Sequence, residues 1–332
     1  MTDLAATPKV EKMGTPAVMP RLFGWSMLTI LAAFLINNIL NVVYGTPQIT
    51  HIPALGMNTG AFVTLGVYAA ALIASFAYVR ATPNQALRWD ANQIHQFNCY
   101  IVRALFWSVF FVGIADAVLA FLRIENFLTS WFSVDFAREF GRAAFVAPYI
   151  HVPMIVLGFV VALFSRTLGF HWLAALIAAA ELGIVLSRFI FSYEQAFMGD
   201  LVRYWYAALF LFASAYTLFD EGHVRVDIVF AGLNPRTKGK VNAIGTVLLG
   251  MSTAWVILIV GMSGPTSMIN APVRTFEVSQ SGSAGMYIKY QMAVFIGLFA
   301  VTMLIQFVSY FFEAVADKRE EPGRREISPV SH

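Results

Sequence analysis

The 332-residue sequence has few charged side chains and a single cysteine. Charged residues make up 12% of the sequence, hydrophobic residues make up 58%, and the mean hydropathy is +0.68. This balance excludes an ordinary soluble domain and indicates an integral membrane protein. One cysteine, Cys99, excludes an intramolecular disulfide and any paired-cysteine motif for a metal or for haem attachment.

Motifs for several enzymatic reactions are also missing. The sequence has no glycine-rich phosphate loop ending in Gly-Lys-Ser/Thr, no His-Glu-x-x-His metal motif and no Gly-x-Ser-x-Gly nucleophile turn. The sequence therefore indicates no ATP hydrolysis, no catalytic residue, no cofactor and no metal site. The formal net charge of +3 is explained by loops that meet lipid headgroups, so it does not indicate a nucleic-acid partner.

Apolar runs of about 20 residues recur along the sequence, and this is the length that crosses about 30 Å of hydrocarbon. They predict an all-α integral membrane protein with about eight transmembrane helices and short amphipathic helices at the membrane surface. The runs are apolar on all sides and do not alternate, which argues against a β-barrel. The predicted spans are 22–44, 61–79, 98–122, 148–165, 172–191, 204–219, 241–262 and 287–315.

The distribution of Lys and Arg predicts the orientation of these spans. If the amino terminus is cytoplasmic, 15 of the 22 Lys and Arg residues fall on the cytoplasmic side, where membrane proteins retain positive charge. Both termini are therefore predicted to be cytoplasmic. Residues 1–21 are expected to form a disordered tail. The first apolar run is expected to remain as an anchor, because it is longer than the core of a cleaved signal.

Polar and small residues inside the spans predict contacts within the membrane. Glu181 lies near the middle of the fifth span, with Arg188 two helical turns further on. A carboxylate at the bilayer centre costs about 2.5 to 3.5 kcal/mol on the insertion scale, so Glu181 is expected to face protein or water. A structural contact or a protonated carboxyl explains it more simply than ion coupling. Gly66, Ala70 and Ala74 predict a surface on which another helix packs closely.

The longest polar and basic interruption of the apolar pattern is 216–240, which we call the elbow. Gly222 can end the preceding helix, and residues 223–233 mix polar and apolar side chains as a short amphipathic segment at the cytoplasmic surface does. Asn234 and Pro235 predict the start of the next helix, because asparagine caps helices and proline suits their first position. The basic residues that follow, and that are placed to meet lipid headgroups, are Arg236, Lys238 and Lys240.

The spacing of residues before and within the elbow resembles the small membrane subunit, the Q type, of tripartite ATP-independent periplasmic (TRAP) transporters. The pair Arg188-Phe189 is followed after 15 residues by Arg203, and Arg203 after 20 residues by His-Val-Arg-Val-Asp at 223–227. The resemblance extends over about 172–316, a little under half of the chain.

The sequence departs from the family's pattern in the segment between these motifs. Phe197 stands where a tryptophan is usual, and Asp200 follows a glycine where two acidic residues are usual. These departures affect the expected contacts at the outer face.

On this resemblance the chain divides into four parts. Residues 1–21 and 317–332 are polar cytoplasmic tails, 22–171 are an N-terminal four-helix extension, and 172–316 are a four-helix domain of the Q type. The minimal small subunit has no counterpart of the extension. An even number of added helices preserves the orientation of the rest.

The resemblance implies an accessory, multi-pass subunit in the bacterial inner membrane. Such a subunit binds and enlarges the scaffold of a large membrane subunit, which moves an organic anion, typically a carboxylate, together with sodium. A periplasmic substrate-binding protein would deliver the anion. The residues expected to fix the elbow, or to meet the partner or lipid, are His223, Arg225, Asp227, Asn234, Pro235, Arg236, Arg188, Asp200 and Arg203.

Two other functions remain open at this point. A self-sufficient secondary transporter would bind its substrate at helices broken near the midplane, but among the prolines only Pro148 and Pro153 fall in a span, and neither is central. A haem-bearing membrane anchor of a redox enzyme could use His95 and His171, which both lie near inner ends of spans. Purified protein without Soret absorbance would exclude the haem-bearing anchor.

Overall fold

The structure is a computed structural model that describes residues 11–167, 169–193, 195–219, 230, 232–279 and 281–324. Within these residues no strand forms, and an isolated β-bridge pairs Met13 with Gln85. The long helices of this part of the chain are α1 (Val18–Tyr44), α2 (Thr59–Ala81), α3 (Leu87–Ile124), α4 (Ala143–Phe164), α5 (Phe170–Phe191), α6 (Ala196–Phe219), α7 (Pro235–Gly261) and α8 (Lys289–Lys318).

Seven of these helices are long and apolar enough to cross a membrane, as judged over the described residues. The other is α6, which has 24 residues but is less apolar because Asp200 and Arg203 lie in its first turns. The predicted all-α membrane fold is confirmed, whereas the cytoplasmic placement of the termini stays a prediction. Short helices between the long ones are Ile52–Leu55, Phe127–Trp131, Val134–Phe140 and Asn270–Thr275.

The chain divides into two compact units. The first comprises Met1–Asn98, Thr217–Gly264 and Met303–His332, and the second comprises Cys99–Tyr216 and Pro265–Thr302. Each unit combines residues from the predicted extension with residues from the predicted four-helix domain. The division of the sequence after 171 therefore does not separate two compact bodies, and it stays a prediction about sequence families.

Residues 11–21 differ from the expected disordered tail. The main-chain N–H of Gly14 donates to Asn84 O at 2.8 Å, and that of Ala86 donates to Lys12 O at 3.0 Å. Helix α1 starts at Val18, and Arg21 forms a fully buried ion pair with Asp90 at 2.7 Å. The sequence pattern shows none of these long-range contacts, so this part of the prediction is wrong.

Helix α3 starts at Leu87, well before the predicted start near residue 98. Its first turns are polar, but one face is buried through polar contacts inside the first unit. Arg88 forms ion pairs with Asp317, at 2.8 Å, and with Glu313, and His95 Nδ1 lies 3.0 Å from Gln306 Oε1. Hydropathy misses these turns because polar partners, not lipid, cover them.

One side of helix α2 packs on α1, and its small residues lie on a different side, which is exposed. Thr64 Oγ1 donates to Asn37 Oδ1 at 2.9 Å, and both side chains are buried. Gly66, Ala70 and Ala74 are exposed, and a Cβ built at Gly66 meets nothing within 4 Å. Within the described chain, the helix that was predicted to pack on this surface is absent.

Candidate functional site

Three predicted site residues, His223, Arg225 and Asp227, lie outside the residues that the structure describes. Their role in the elbow therefore stays a prediction. The end of the elbow is described: Asn234 Oδ1 accepts a hydrogen bond from the Thr237 main-chain N–H at 2.8 Å, and Pro235 occupies the first turn of α7. This is the helix start that the sequence predicts.

The basic residues named beside the elbow make few contacts. Arg236 and Arg188 are both exposed, Arg236 in the first turn of α7 and Arg188 in the last turn of α5. Lys238 Nζ lies 5.6 Å from the centre of the Phe230 ring, a cation–π distance. The exposure of Arg236 and Arg188 agrees with a contact to lipid or to a partner.

Asp200 and Arg203 lie three residues apart in the first turns of α6. Arg203 Nη2 donates to Asp200 Oδ1 at 2.9 Å, and the Arg203 side chain is 65% exposed. Asp200 is buried, and its Oδ2 accepts a hydrogen bond from the Met286 main-chain N–H at 3.1 Å. Asp200 therefore binds α6 to the segment that leads into α8, a contact that spacing along the sequence does not show.

A second carboxylate holds the same segment from another helix. Asp116 of α3 has no exposed surface, and its Oδ2 accepts a hydrogen bond from the Tyr287 main-chain N–H at 2.6 Å. Its other oxygen, Oδ1, lies 3.3 Å from His151 Nε2. This contact is close enough for an ion pair but lacks the alignment of a hydrogen bond, so we treat it as electrostatic.

The other nitrogen of His151 ends a chain of buried hydrogen bonds. Tyr204 OH donates to Gln291 Oε1 at 2.5 Å, Gln291 Nε2 donates to Tyr290 OH at 3.0 Å, and Tyr290 OH lies 2.9 Å from His151 Nδ1. Since Tyr290 OH already accepts from the amide, it can donate to Nδ1. His151 then bears its proton on Nε2, the nitrogen that faces Asp116.

A π turn in α4 brings His151 to this cluster. The segment Ala147–His151 is π-helical, and the main-chain N–H of Val152 donates to Ala147 O, five residues back. Pro153 explains the turn, because proline has no N–H and its ring clashes with the carbonyl group four residues earlier. In the sequence, His151 stands between Pro148 and Pro153 inside an apolar span, and this pattern could have identified it as a candidate site residue.

Arg123, at the end of α3, completes the contacts around the segment before α8. Its Nη2 donates to Gly285 O at 2.8 Å, and its guanidinium carbon lies 3.9 Å from the centre of the Tyr287 ring. Tyr287 OH donates to Gly141 O at 2.8 Å. Chemically, this network fixes the start of α8 against α3, α4 and α6. Its carboxylates and its imidazole are buried and contact protein, which favours a structural role.

The two histidines considered as haem ligands have protein contacts. His95 stacks on Phe219, with 3.2 Å between ring centres and 11° between planes, in addition to its contact with Gln306. His171 is exposed and stacks on Phe170 at 4.0 Å. One nitrogen and one face of the His95 ring are thus occupied by side chains, which favours a packing role.

Glu181 has a different environment from the other acidic residues within the spans. It is exposed at the middle of α5 and makes no hydrogen bond or ion pair with any residue that the structure describes. Only 6% of the most apolar stretch of α5 is buried inside the chain, compared with 50% for α3 and for α8. Glu181 therefore has no protein partner among the described residues, and the expectation that it faces protein or water stays a prediction.

Comparison with protein families gives a match over the second part of the chain. Residues 177–316 match the family described as tripartite ATP-independent periplasmic transporters, DctQ component. The match runs from α5 to the last turns of α8, within the predicted domain 172–316. No curated protein and no solved structure matches the chain.

Proposed function

We propose that the chain is the small membrane subunit of a sodium-driven importer of an organic anion, because residues 177–316 match the family described as tripartite ATP-independent periplasmic transporters, DctQ component. The family is a transporter component of the bacterial inner membrane, not an enzyme family, and it acts with the other components of the transporter. The family match is the observation that supports the proposal. A carboxylate is the anion we expect.

In this role the chain binds the scaffold of the large membrane subunit and widens it, while that subunit moves substrate and sodium. A periplasmic binding protein delivers the substrate. Two observations support an accessory role. The polar cluster of the second unit is directed at the chain's own backbone, through Asp116 and Asp200, and α5 has most of its apolar surface uncovered.

The extension, 22–171, is proposed to be an integral part of this subunit. Asp116 and His151 come from the extension, whereas Tyr287 and Tyr290 come from the segment that matches the family. These contacts lie inside one compact unit. The extension would thus stabilise the start of α8 that the family segment supplies.

Co-purification and reconstitution test the proposed function. The tagged chain is expressed with its genomic neighbours, extracted in mild detergent and isolated, and we expect a larger multi-helix membrane protein to be recovered with it. In vesicles, uptake of a labelled carboxylate should require both membrane chains, the soluble binding protein and an inward sodium gradient. Recovery of the chain without a larger partner, or uptake by this chain alone, would contradict the proposal.

The elbow allows a separate test of its structural role. Asp227→Ala should lower the yield of the assembled complex more than it changes the apparent substrate affinity of the complex that remains. Normal assembly with an altered sodium or substrate dependence would assign the elbow to transport itself.

The alternatives gain less support. Over the described residues, α4 and α7 each contain a π turn, but both helices continue through it. Self-sufficient transporters bind their substrate at helices that are broken, and neither α4 nor α7 is broken in this way. A haem-bearing anchor would give Soret absorbance in the purified protein, and this measurement decides that alternative directly.

A further inference from the structure

The surface of α5 divides lengthwise into a covered side and an uncovered side. Leu173 and Ala180 are buried, and the residues that follow them at helical spacing on the same side are half-buried. The rest of the helix surface is exposed. One stripe of it, which we call the Glu181 face, comprises Ala174, Ala178, Glu181, Val185 and Arg188.

The Glu181 face places a carboxylate at the middle of an apolar helix. Helix α5 has 22 residues, so Glu181 lies about 17 Å from its start, near the middle of a span of about 33 Å. Lipid offers no hydrogen-bond donor or cation at that depth, and an ionisable residue there marks a contact with protein or water.

Arg188 does not supply the missing partner. It lies on the same side two turns further on, about 10 Å along the helix axis, at the end of α5. No ion pair joins it to Glu181 in the described structure. Ala174 and Ala178 precede Glu181 by seven and three residues, and such small side chains let a second helix approach closely enough for a carboxylate to be reached.

We infer that the Glu181 face binds a membrane-spanning helix of the large transporter subunit, and that this helix presents a cationic or hydrogen-bond-donating side chain to the Glu181 carboxylate at mid-membrane depth. The inference rests on the proposed function. To the proposed function the inference adds the face of α5 that makes the contact, the polar group at the centre of that face and the chemistry of the partner side chain. The complementary donor makes the contact specific, because an apolar helix in the same place would leave the carboxylate without a partner.

Variants at Glu181 test the contact through recovery of the complex. Glu181→Leu should lower recovery of the large subunit with the tagged chain by roughly three- to tenfold, since the partner's donor would lose its acceptor within the membrane. Glu181→Arg should lower it further by placing two donors together. Glu181→Gln retains an acceptor oxygen and should keep most of the complex.

Ile190→Ala is the matched control, because Ile190 is 65% exposed and, nine residues after Glu181, lies on the other side of α5. Its recovery should equal that of the unmodified chain. Equal recovery for Glu181→Leu, Glu181→Arg and the unmodified chain would overturn the inference. Failure of the unmodified chain to recover any large subunit would instead remove the proposed function, so the two failures are distinguishable.

Photo-crosslinking identifies the occupant directly. A photo-reactive amino acid placed at Val185, which is 46% exposed on the Glu181 face, should form an adduct with the large subunit in intact membranes. The same group placed at Leu163 of α4, which is 66% exposed, serves as a control for non-specific capture. An adduct with a second copy of this chain, or with lipid alone, would overturn the assignment to the large subunit.

Discussion

Helices α3 and α5 each hold a carboxylate inside an apolar span, but the two carboxylates have opposite environments. Asp116 of α3 is fully buried, with a main-chain N–H at 2.6 Å and an imidazole at 3.3 Å. Glu181 of α5 is exposed and has no partner among the described residues. Half of the most apolar stretch of α3 is buried inside the chain, compared with 6% for α5.

This difference separates two uses of a charged side chain in a membrane. A carboxylate with partners in its own chain holds that chain's helices together, whereas one without such partners needs another molecule to offset its transfer from water. The first kind should affect the stability of the isolated chain. The second should affect assembly and leave the isolated chain unchanged.

The largest expected effect is at the buried carboxylate. Asp116→Ala leaves the buried Tyr287 N–H without its acceptor and removes the carboxylate beside His151, and we expect the free energy of unfolding to fall by about 3 to 5 kcal/mol. Thermal unfolding of the purified chain in detergent measures the loss. Glu181→Leu is the comparison variant, and its melting temperature should not fall. An equal loss for both variants would show that burial does not distinguish the two carboxylates.

A smaller loss is expected at the buried ion pair of the first unit. Arg21→Met removes the cation from Asp90, but Asp90 keeps hydrogen bonds from Gln85 Nε2 at 2.6 Å and Trp25 Nε1 at 3.2 Å. Because these donors remain, we expect a loss of about 3 kcal/mol, at the lower end of the range for a broken buried pair. The double variant Arg21→Met with Asp90→Leu should recover part of this loss in the same measurement.

The next largest loss of stability is expected where α3 and α4 pack closely. A Cβ at Gly158 of α4 would lie 2.7 Å from Ser108 Cα of α3, so Gly158→Ala should cost about 2 kcal/mol by forcing the helices apart. Gly66→Ala on α2 is the matched control, because nothing lies within 4 Å of that position. A loss at Gly66 in the isolated chain would contradict the exposed position of that residue.

The smallest effect is expected at an exposed hydrogen bond outside the spans. Tyr193 OH donates to Glu125 Oε1 at 2.8 Å, and this bond raises the pKa of Tyr193 above its usual value of 10.0. The stabilisation is therefore complete below the unfolded-state pKa and is lost as the pH rises through the folded-state pKa. Tyr193→Phe should leave the melting temperature nearly unchanged at neutral pH. A difference titration of phenolate absorbance, with and without Tyr193, measures the direction of the shift.

The sequence predicts the helices well where lipid covers them and poorly where protein does. Apolar runs located α1, α2 and α5 to within a few residues, because hydropathy reports on the transfer to lipid. The same measure missed the first turns of α3, whose polar residues, among them Arg88 and His95, are buried by partners far away in the sequence. Residues 11–21 were misjudged for the same reason.

The candidate site was predictable only in part. The resemblance drew attention to Asp200 and Arg203, but the bond from Asp200 to the Met286 N–H depends on tertiary structure. The partnership of Asp116 with His151 joins two helices through a π turn, and no local pattern predicts which histidine meets which carboxylate. Glu181 was recognised as a residue in need of a partner, and the structure adds that none of the described residues supplies one.

Helix α3 is longer than the hydrocarbon layer is thick, so positions along it can be used to measure its depth in the membrane. Its 38 residues extend about 57 Å, so a tilt of about 40° still leaves it longer than the roughly 30 Å of hydrocarbon. Phe97 and Val118, both more than half exposed, lie about 31 Å apart along its axis, close to the thickness of the hydrocarbon. Spin labels at these two positions would report where each face of the bilayer meets the helix, whatever lipid surrounds it.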